Sequence, residues 1–258
     1  MAATPLLELK GITRHFGAIQ ALRQVDFEVH AGEVVALVGD NGAGKSTLVK
    51  TLAGILPVEE GQVFFEGQPV RLTGPQSATA LGVATVYQDL ALCDNLDVVG
   101  NLFLGRELTA RGPGGLDETT MEVQATQLLR RLSVSLPSVR TQVAALSGGQ
   151  RQSIAVARAM MGSPRVVLLD EPTAALGVAQ TRQVLDLIRR LREQGLGVVV
   201  ISHNLVDVFS VANRIVVMRL GRRVATFDTK AAREVDVVAA ITGVDTTESN
   251  PRLTAEAP

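Results

Sequence analysis

The sequence predicts an α/β fold in which a mainly parallel sheet is flanked by helices, with a small antiparallel β layer and an inserted α-helical segment. Uninterrupted apolar runs at residues 34–38, 166–169 and 198–201 are typical of strands that are buried on both faces of a parallel sheet. Apolar residues at helical spacing follow some of these runs, most clearly in residues 178–194. Residues 89–163, in contrast, have the pattern of helices alone.

The composition is that of an ordinary globular protein. The chain has 258 residues, of which 46% are hydrophobic and 20% are charged, which suits one large domain or two small ones. The formal net charge is -1 and gives no indication of a nucleic-acid partner. Cys93 is the single cysteine, which excludes an intramolecular disulfide. The sequence has no secretory signal and no long apolar run, so we expect a cytoplasmic protein that reaches a membrane only through a partner.

Short strands precede the first buried run. Residues 6–12 and 25–29 alternate between apolar and polar side chains, which predicts the antiparallel layer. Phe16 falls in the turn between them, where its ring could stack on a purine or simply belong to the core. Residues 61–65 predict another strand, and a helix after Pro75 leads to a strand that ends at Tyr87. Gln88 lies just beyond that strand and could contact Mg²⁺ or an attacking water, although an exposed loop glutamine usually does neither.

A glycine-rich loop follows the apolar run at 34–38, and apolar residues at helical spacing follow the loop. It reads Gly39, Asp40, Asn41, Gly42, Ala43, Gly44, Lys45, Ser46 and Thr47. A strand, a loop of this kind and a helix start together indicate a P-loop, and hence a P-loop NTPase core. Side chains at 39, 42 and 44 would obstruct backbone amides that point at phosphate. We expect Lys45 to meet the β- and γ-phosphates of a nucleotide and Ser46 to bind Mg²⁺.

The helical segment contains a second helix start of the same kind. An apolar stripe along residues 121–132 predicts one helix of this segment, and residues 112–115 interrupt the chain before it. The segment ends with Leu146, Ser147, Gly148, Gly149 and Gln150, after which a helix is predicted over 151–161. A serine and two glycines before a helix expose backbone amides and form an anion-binding site. The alternative is a flexible loop in which the serine only caps the helix.

Two later strands deliver polar side chains to one edge of the predicted sheet. The run at 166–169 ends in Asp170 and Glu171, and the run at 198–201 ends in Ser202, His203 and Asn204. Ligands of open α/β sheets bind at this edge. Asp170 suits Mg²⁺ held through water, Glu171 suits a general base, and His203 could hydrogen-bond the γ-phosphate or Glu171. An acidic pair at a strand end is otherwise often a turn or a cap, and a lone histidine is more often structural. Strands at 215–218 and 224–227 around a turn at Gly221 and Arg222 complete the fold, and residues 244–258 are predicted to be disordered.

These strings together resemble the ATPase subunit of ATP-binding cassette (ABC) transporters over residues 5–243. Residues 39–47 resemble its Walker A motif, Gln88 its Q-loop, residues 146–150 its signature, residues 166–171 its Walker B motif and His203 its switch histidine. Phe16 lies where the family has an aromatic that stacks on adenine. The resemblance implies a core formed by residues 1–88 and 164–243 and a helical subdomain at 89–163.

Finer features are similar to the ATPases of bacterial monosaccharide importers. These features are residues 39–42, 87–90, 104–107 and 173–177. The chain has one cassette and no internal repeat, as in single-cassette members of fructose, ribose or xylose type. Gly177 stands where the family usually has aspartate, which leaves communication between two sites open.

The resemblance implies a head-to-tail homodimer in which ATP lies between the Walker A motif of one subunit and Ser147, Gly148 and Gly149 of the other. Lys45, Mg²⁺ and Ser147 would neutralise the γ-phosphate, Glu171 would deprotonate water, and His203 would hold that geometry. The implied partners are transmembrane permease subunits and, indirectly, a solute-binding protein, with the ATPase on the cytoplasmic face of the membrane. The alternatives are a soluble ABC ATPase of assembly, repair or translation, and a P-loop kinase of small molecules.

Overall fold

A computed structural model describes residues 4–110 and 115–244. In chain order the elements are β1 (Leu7–Phe16), β2 (Ile19–Val29), β3 (Val34–Gly39), α1 (Lys45–Leu52), β4 (Glu60–Phe65), β5 (Gln68–Val70), α2 (Pro75–Ala80), β6 (Val83–Val86), α3 (Val98–Phe103), α4 (Glu118–Arg131), α5 (Gly148–Met160), β7 (Val166–Asp170), α6 (Val178–Glu193), β8 (Gly197–Ile201), α7 (Leu205–Val211), β9 (Arg214–Arg219), β10 (Arg222–Asp228) and α8 (Glu234–Thr242). The α/β fold class that the sequence predicts is confirmed.

The larger sheet has six strands in the order β10-β9-β3-β8-β7-β6. All neighbouring pairs are parallel except β10 and β9, which form an antiparallel hairpin. Strand β3 lies between β9 and β8, and every residue of β8 is buried, as expected for strands covered on both faces. The carboxyl ends of β3, β7 and β8 therefore meet at one edge of the sheet, where a ligand site is expected.

The smaller sheet is antiparallel, with four strands in the order β2-β1-β4-β5. Its buried side chains, among them Leu9, Ile12, Leu22 and Phe27, pack in one core with residues of β3, α1 and β8. Phe16 is the last residue of β1 and pairs with Ile19, so the prediction that it lies in the connecting turn was wrong by one position. Residues 17 and 18 form the turn, because the pairing of the two strands continues to their last apolar residues.

Between β6 and β7 the described residues form α3, α4, a short 3₁₀ helix at Val143–Ala145 and α5. The apolar stripe predicted for α4 is present, and Met121, Ala125, Leu128 and Leu129 are buried in it. These helices share a core with α6 and with residues of β7 and β8. This shared core fixes α5 and α6 side by side, so the residues at their amino ends are neighbours.

Three short or late elements, β5, α7 and α8, were not predicted. The turn between β9 and β10 consists of Leu220 and Gly221, because Arg222 already pairs with Arg219; its prediction at Gly221 and Arg222 was one residue late. Most of the predicted break at 112–115, and all but the first residue of the predicted disordered tail at 244–258, lie outside the described residues. Within residues 4–110 and 115–244, no helix has the length and apolarity that crossing a bilayer requires.

Candidate functional site

The glycine-rich loop runs from the end of β3 to the start of α1, as the sequence predicts. Gly39, Gly42 and Gly44 all have positive φ, at 147°, 78° and 102°. A Cβ at Gly39 would lie 2.2 Å from the carbonyl oxygen of Met218, and one at Gly44 would lie 2.8 Å from the carbonyl oxygen of Ala21. From the sequence, these three glycines were explained only by the access of phosphate to backbone amides. That explanation is incomplete. At 39 and 44 a side chain would collide with the strands behind the loop, while Gly42 is required by its conformation.

Most backbone amides of this loop have no acceptor among the described residues, while two donate within the loop. The amide of Asn41 donates to Asp40 Oδ1 at 2.9 Å and that of Ala43 to the Asp40 carbonyl at 3.1 Å. Among the described residues, none accepts from the amides of Gly42, Gly44, Lys45, Ser46 and Thr47. Free amides at a helix start bind anions such as phosphate.

Lys45 lies across this loop. Its Nζ donates to the carbonyl oxygens of Gly39 at 2.7 Å and Asp40 at 3.0 Å. Burial lowers the pKa of Lys45, and the charges of Glu171, Asp40 and Asp170 partly oppose that shift. The ammonium is thus held close both to the loop and to the carboxylates at the end of β7.

A cavity of about 360 Å³ opens in front of the loop. Residues 41–47 of the loop form one wall, which contains Asn41, Ala43, Lys45, Ser46 and Thr47 together with the two glycines of that range. The start of β2 and the β9–β10 turn form the others, through Ile19, Gln20, Ala21, Arg23, Leu220 and Gly221. Sequence reasoning missed these six residues, because strand and turn positions carry no local sign of a ligand.

The turn and β2 are fixed to the loop by backbone contacts. Gly221 donates from its amide to the Ala43 carbonyl at 3.0 Å, and Arg23 donates from its amide to the Gly221 carbonyl at 2.8 Å. The cavity is therefore walled by segments more than 170 residues apart in sequence, joined by hydrogen bonds behind the loop.

Phe16 lies beyond the residues that line this cavity. Its side chain is 46% exposed, and the guanidinium of Arg14 lies 5.2 Å from the centre of its ring. Arg14 is held in turn by Glu59 at 2.8 Å. One face of the ring is thus occupied by a cation, and stacking of a base on Phe16 stays a prediction.

Glu171 and His203 are brought together at the carboxyl edge of the sheet. His203 Nδ1 lies 3.0 Å from Glu171 Oε1 and 2.9 Å from Oε2. The Glu171 side chain is 16% exposed and that of His203 is 74% exposed. Glu171 has a φ of 49°, a strained conformation that clusters at functional sites. The sequence left two hydrogen-bond partners open for His203, the γ-phosphate and Glu171. In this structure His203 contacts Glu171.

Asp170 ends β7 directly before Glu171. Burial, and then the neighbouring charge of Glu171, raise the pKa of Asp170, while Lys45 lowers it. The pKa of the Tyr87 hydroxyl is raised by burial, and the charge of Asp170 adds to that shift. Two carboxylates crowded in this way favour a bound cation.

Ser147 caps α5, and its hydrogen bonds decide which amides at this helix start are free. Ser147 Oγ accepts from the Gln150 amide at 3.3 Å, and Gln150 Oε1 accepts from the Ser147 amide at 3.0 Å. This is a capping box. Among the described residues, none accepts from the amides of Gly148 and Gly149. The second row of free donors therefore consists of those two glycines.

The same glycines lie against the start of α6. A Cβ at Gly148 would lie 2.8 Å from Leu176 Cδ2, and one at Gly149 would lie 3.0 Å from Gln180 Cβ. The double glycine thus lets α5 approach the loop that follows Glu171. Within one chain neither glycine lines the cavity in front of the P-loop.

Gln88 is exposed in the segment after β6 and does not line that cavity either. The loop just after it is fixed to α5, because Arg158 donates from Nη2 to the Leu90 carbonyl at 3.0 Å and from Nη1 to the Ala91 carbonyl at 2.7 Å. Burial lowers the pKa of Arg158. The Q-loop and the signature are therefore ends of one connected unit.

Residues 22–174 match the family model described as ABC transporter. The chain belongs to the ABC transporter family. This membership confirms the predictions that it is an ATP-binding subunit of that family and that it hydrolyses ATP.

Named relatives cover most of this ABC subunit. It is 44% identical over 249 residues to a fructose import ATP-binding protein, FrcA, from Rhizobium meliloti, covering 94% of this chain and 96% of that protein. It is 46% identical to a xylose/arabinose import ATP-binding protein, XylG, from Sulfolobus acidocaldarius, with coverage of 84% and 86%. A ribose import ATP-binding protein from Rubrobacter xylanophilus is 41% identical, and 98% of this chain spans 50% of its length.

Solved structures agree on the fold. A nucleotide-free ATP-binding cassette from an ABC transporter has a TM-score of 0.79 at 24% identity, covering 94% of this ABC subunit and 96% of that chain. A dimeric ATP-binding cassette in a post-hydrolysis state, bound to ADP and Pi, has a TM-score of 0.71 at 25% identity, covering 88% and 100%. Nucleotide binding and pairing of cassettes are thus properties of solved members of the family.

Proposed function

We propose that this ABC subunit uses its ATP hydrolysis to power import of a monosaccharide through transmembrane permease subunits. The observation that carries the proposal is the presence of two rows of free amides at helix starts, one before α1 and one at Gly148 and Gly149. One P-loop leaves a face of the γ-phosphate open, and the second row on another copy can close it. The relatives named for fructose, xylose/arabinose and ribose import support a sugar as the solute.

In this proposal two copies bind ATP head to tail. The amides of residues 42 and 44–47 hold the phosphates of one nucleotide, and Lys45 turns from the carbonyls of Gly39 and Asp40 to the β- and γ-phosphates. Gly148 and Gly149 of the partner approach from the other side, with Ser147 and Gln150 keeping that helix start rigid. Phosphoryl transfer depends mainly on positioning and charge neutralisation, which these groups supply.

The donors present suit Mg²⁺. Ser46 offers a hydroxyl, Asp170 a carboxylate and Gln88 an amide oxygen, all ligands that Mg²⁺ accepts. Among the described residues, no three or more His, Cys, Asp or Glu side chains are grouped so that they could hold a metal ion. Mg²⁺ commonly uses one or two protein ligands together with phosphates and water. When bound, the ion neutralises charge on the phosphates.

Glu171 is the general base in this proposal and His203 its orienting partner. With the carboxylate ionised, His203 Nδ1 carries the proton of the 2.9–3.0 Å contact and donates it to Glu171. Glu171 takes a proton from the attacking water, and the histidine holds the carboxylate in place.

Glu171→Gln tests the base. The variant should bind ATP with the affinity of the parent, lose hydrolysis, and accumulate as an ATP-bound dimer in size-exclusion chromatography with light scattering. His203→Ala is expected to lower turnover while nucleotide affinity stays the same. Normal turnover by Glu171→Gln would exclude Glu171 as the base.

Coupling to the permease is proposed to run through Gln88. The loop after Gln88 is fastened by Arg158 to the helix that starts at the signature, so a shift of one moves the other. Gln88→Ala should leave ATP binding intact and weaken the stimulation of ATPase activity by the permease. Unchanged stimulation would remove this part of the proposal.

The solute is tested by reconstitution on the membrane. The subunit is purified with its permease, on whose cytoplasmic face we place it, and ATPase activity is measured while a panel of monosaccharides is presented on the solute-binding protein. Stimulation by a pentose or hexose supports the proposal. Recovery without any membrane protein would favour the soluble alternative in assembly, repair or translation.

A further inference from the structure

A second hydrogen bond joins the two segments that carry Glu171 and His203. Thr173 Oγ1 donates to Asp207 Oδ2 at 2.7 Å. Thr173 lies two residues after Glu171, and Asp207 lies four residues after His203 in the first turn of α7. The two loops are thus tied once through the catalytic pair and once behind it.

Asp207 is an unusual group for this position. It is 8% exposed, and within the part of the chain that the structure describes no lysine, arginine or histidine forms an ion pair with it. Burying a carboxylate without a cation is costly. Among residues 4–110 and 115–244, the Asp207 carboxylate is stabilised only by the Thr173 hydroxyl and by its place in the first turn of α7. We take this as an indication that the Thr173–Asp207 hydrogen bond has a function.

The segments joined by this bond need restraint. Glu171 and Ala175 both have positive φ, at 49° and 58°, so the loop between them is strained. On the other side, His203 is largely exposed and contacts the rest of the site through Glu171. Asn204 caps α7 by accepting from the Asp207 amide at 3.3 Å, which places the Asp207 carboxylate in a fixed relation to His203.

We propose that Thr173 and Asp207 are positioning residues for ATP hydrolysis. Their hydrogen bond holds the loop after β7 against α7 and so keeps Glu171 and His203 at contact distance when the nucleotide enters. Neither residue lines the cavity in front of the P-loop, so the bond acts on turnover and leaves nucleotide binding alone. The inference rests on the proposed role of Glu171 as the base.

Thr173→Val tests this with little change in volume, and Thr173→Ser is the matched control that keeps the hydroxyl. We expect Thr173→Val to lower kcat roughly 10- to 100-fold, because a small misplacement of catalytic groups has effects of that size. KM for ATP should stay close to the parent. The midpoint of thermal unfolding should fall by a few degrees, because the buried Asp207 carboxylate loses its hydrogen bond, and kcat is therefore measured well below that midpoint. Thr173→Ser should keep kcat within about threefold of the parent, because its hydroxyl can still donate to Asp207.

A double variant separates positioning from general damage. In the Glu171→Gln background, single-turnover measurements with labelled ATP follow the slow residual reaction. If Thr173 acts through Glu171, Thr173→Val should change that residual rate by less than about twofold. The same fold-loss in both backgrounds, an equal loss for Thr173→Ser, or a parent-like kcat for Thr173→Val would overturn the inference.

The outcomes distinguish this inference from the proposal beneath it. A parent-like rate for Glu171→Gln alone would overturn the assignment of the base and this inference with it. A slow Glu171→Gln together with a parent-like Thr173→Val would overturn the positioning role alone and leave the base in place.

Discussion

Ser147 is expected to have two separable roles, and Ser147→Asp separates them. In the single chain its Oγ caps α5 by accepting from the Gln150 amide at 3.3 Å. In the proposed ATP dimer the start of α5 faces the γ-phosphate of the partner's nucleotide, so the side chain at position 147 lies beside that phosphate. Aspartate is as good a cap as serine, but it brings a negative charge to an anion site. Stability and pairing should therefore respond in opposite ways.

The cap contribution can be estimated from the contact. Loss of a serine cap in Ser147→Ala costs about 1 kcal/mol, since the hydrogen bond is long. That corresponds to a fall of about 2–4 °C in the midpoint of thermal unfolding for a chain of this size. Ser147→Asp keeps an acceptor and places its charge at the positive end of the α5 dipole, which contributes about 0.3–1 kcal/mol. Its midpoint should equal or exceed that of the parent.

Pairing should show the reverse order. A carboxylate about 4 Å from a phosphate oxygen is repelled by about 4 kcal/mol at an effective dielectric constant near 20, a loss of roughly a thousandfold for each of the two sites of the dimer. Thermal unfolding without nucleotide measures the effect on the stability of the single chain. Light scattering with ATP in the Glu171→Gln background measures the effect on dimer affinity, with Ser147→Thr as the control that keeps the hydroxyl.

Two results would refute this reasoning. If Ser147→Asp lowers the unfolding midpoint as much as Ser147→Ala, the side chain is not acting as the cap. If Ser147→Asp pairs with ATP as well as the parent, the α5 start does not face the γ-phosphate, and the head-to-tail arrangement is wrong.

Three further substitutions test the backbone of the site by chemical denaturation. Gly39→Ala should lower the free energy of unfolding by at least about 3 kcal/mol, because its Cβ would lie 2.2 Å from the Met218 carbonyl oxygen. Gly42→Ala, whose Cβ would have nothing within 4 Å, should lower it by about 1–2 kcal/mol because of its positive φ. Equal losses for the two variants would contradict the clash at Gly39. Gly177→Asp should gain about 0.5–1 kcal/mol, since Gly177 is the exposed cap of α6 with extended backbone at φ -73° and ψ 164°; a loss would contradict this. Leu220→Asn should gain about 1 kcal/mol, because Leu220 is 71% exposed at a φ of 48° in a two-residue turn; Leu220→Ala, which keeps the strained φ, is the control and should gain nothing.

The P-loop and the signature could be predicted because each is contiguous in sequence. Glycines at 39, 42 and 44, a buried strand before them and a helix after them specify a conformation within a few residues. The spacing of these strings along the chain was enough to indicate the family and an ATPase. The buried runs likewise identified the central strands, since a strand covered on both faces has no polar alternation.

Some local signals were present but weak. Asn204, with Asp207 three residues later, is a cap that could have indicated α7, and Gly243 at a φ of 74° ends α8. Short elements such as β5, at three residues, have too few positions for a period to be recognised. The hydrogen-bond partner of Ser147 was also hard to predict. It is Gln150, whose side chain could instead have been free to contact a ligand.

By itself, then, the sequence determined which strings leave backbone amides free for an anion, because those amides belong to neighbouring residues whose conformation glycine permits. The tertiary structure alone decided which distant side chains meet. It joined Glu171 to His203 across 32 positions and Thr173 to Asp207 across 34, and it completed the cavity with Ile19, Leu220 and their neighbours. The physical reason is that parallel strands bring their carboxyl ends together whatever the length of chain between them, and no periodicity along the chain records which loop then faces which.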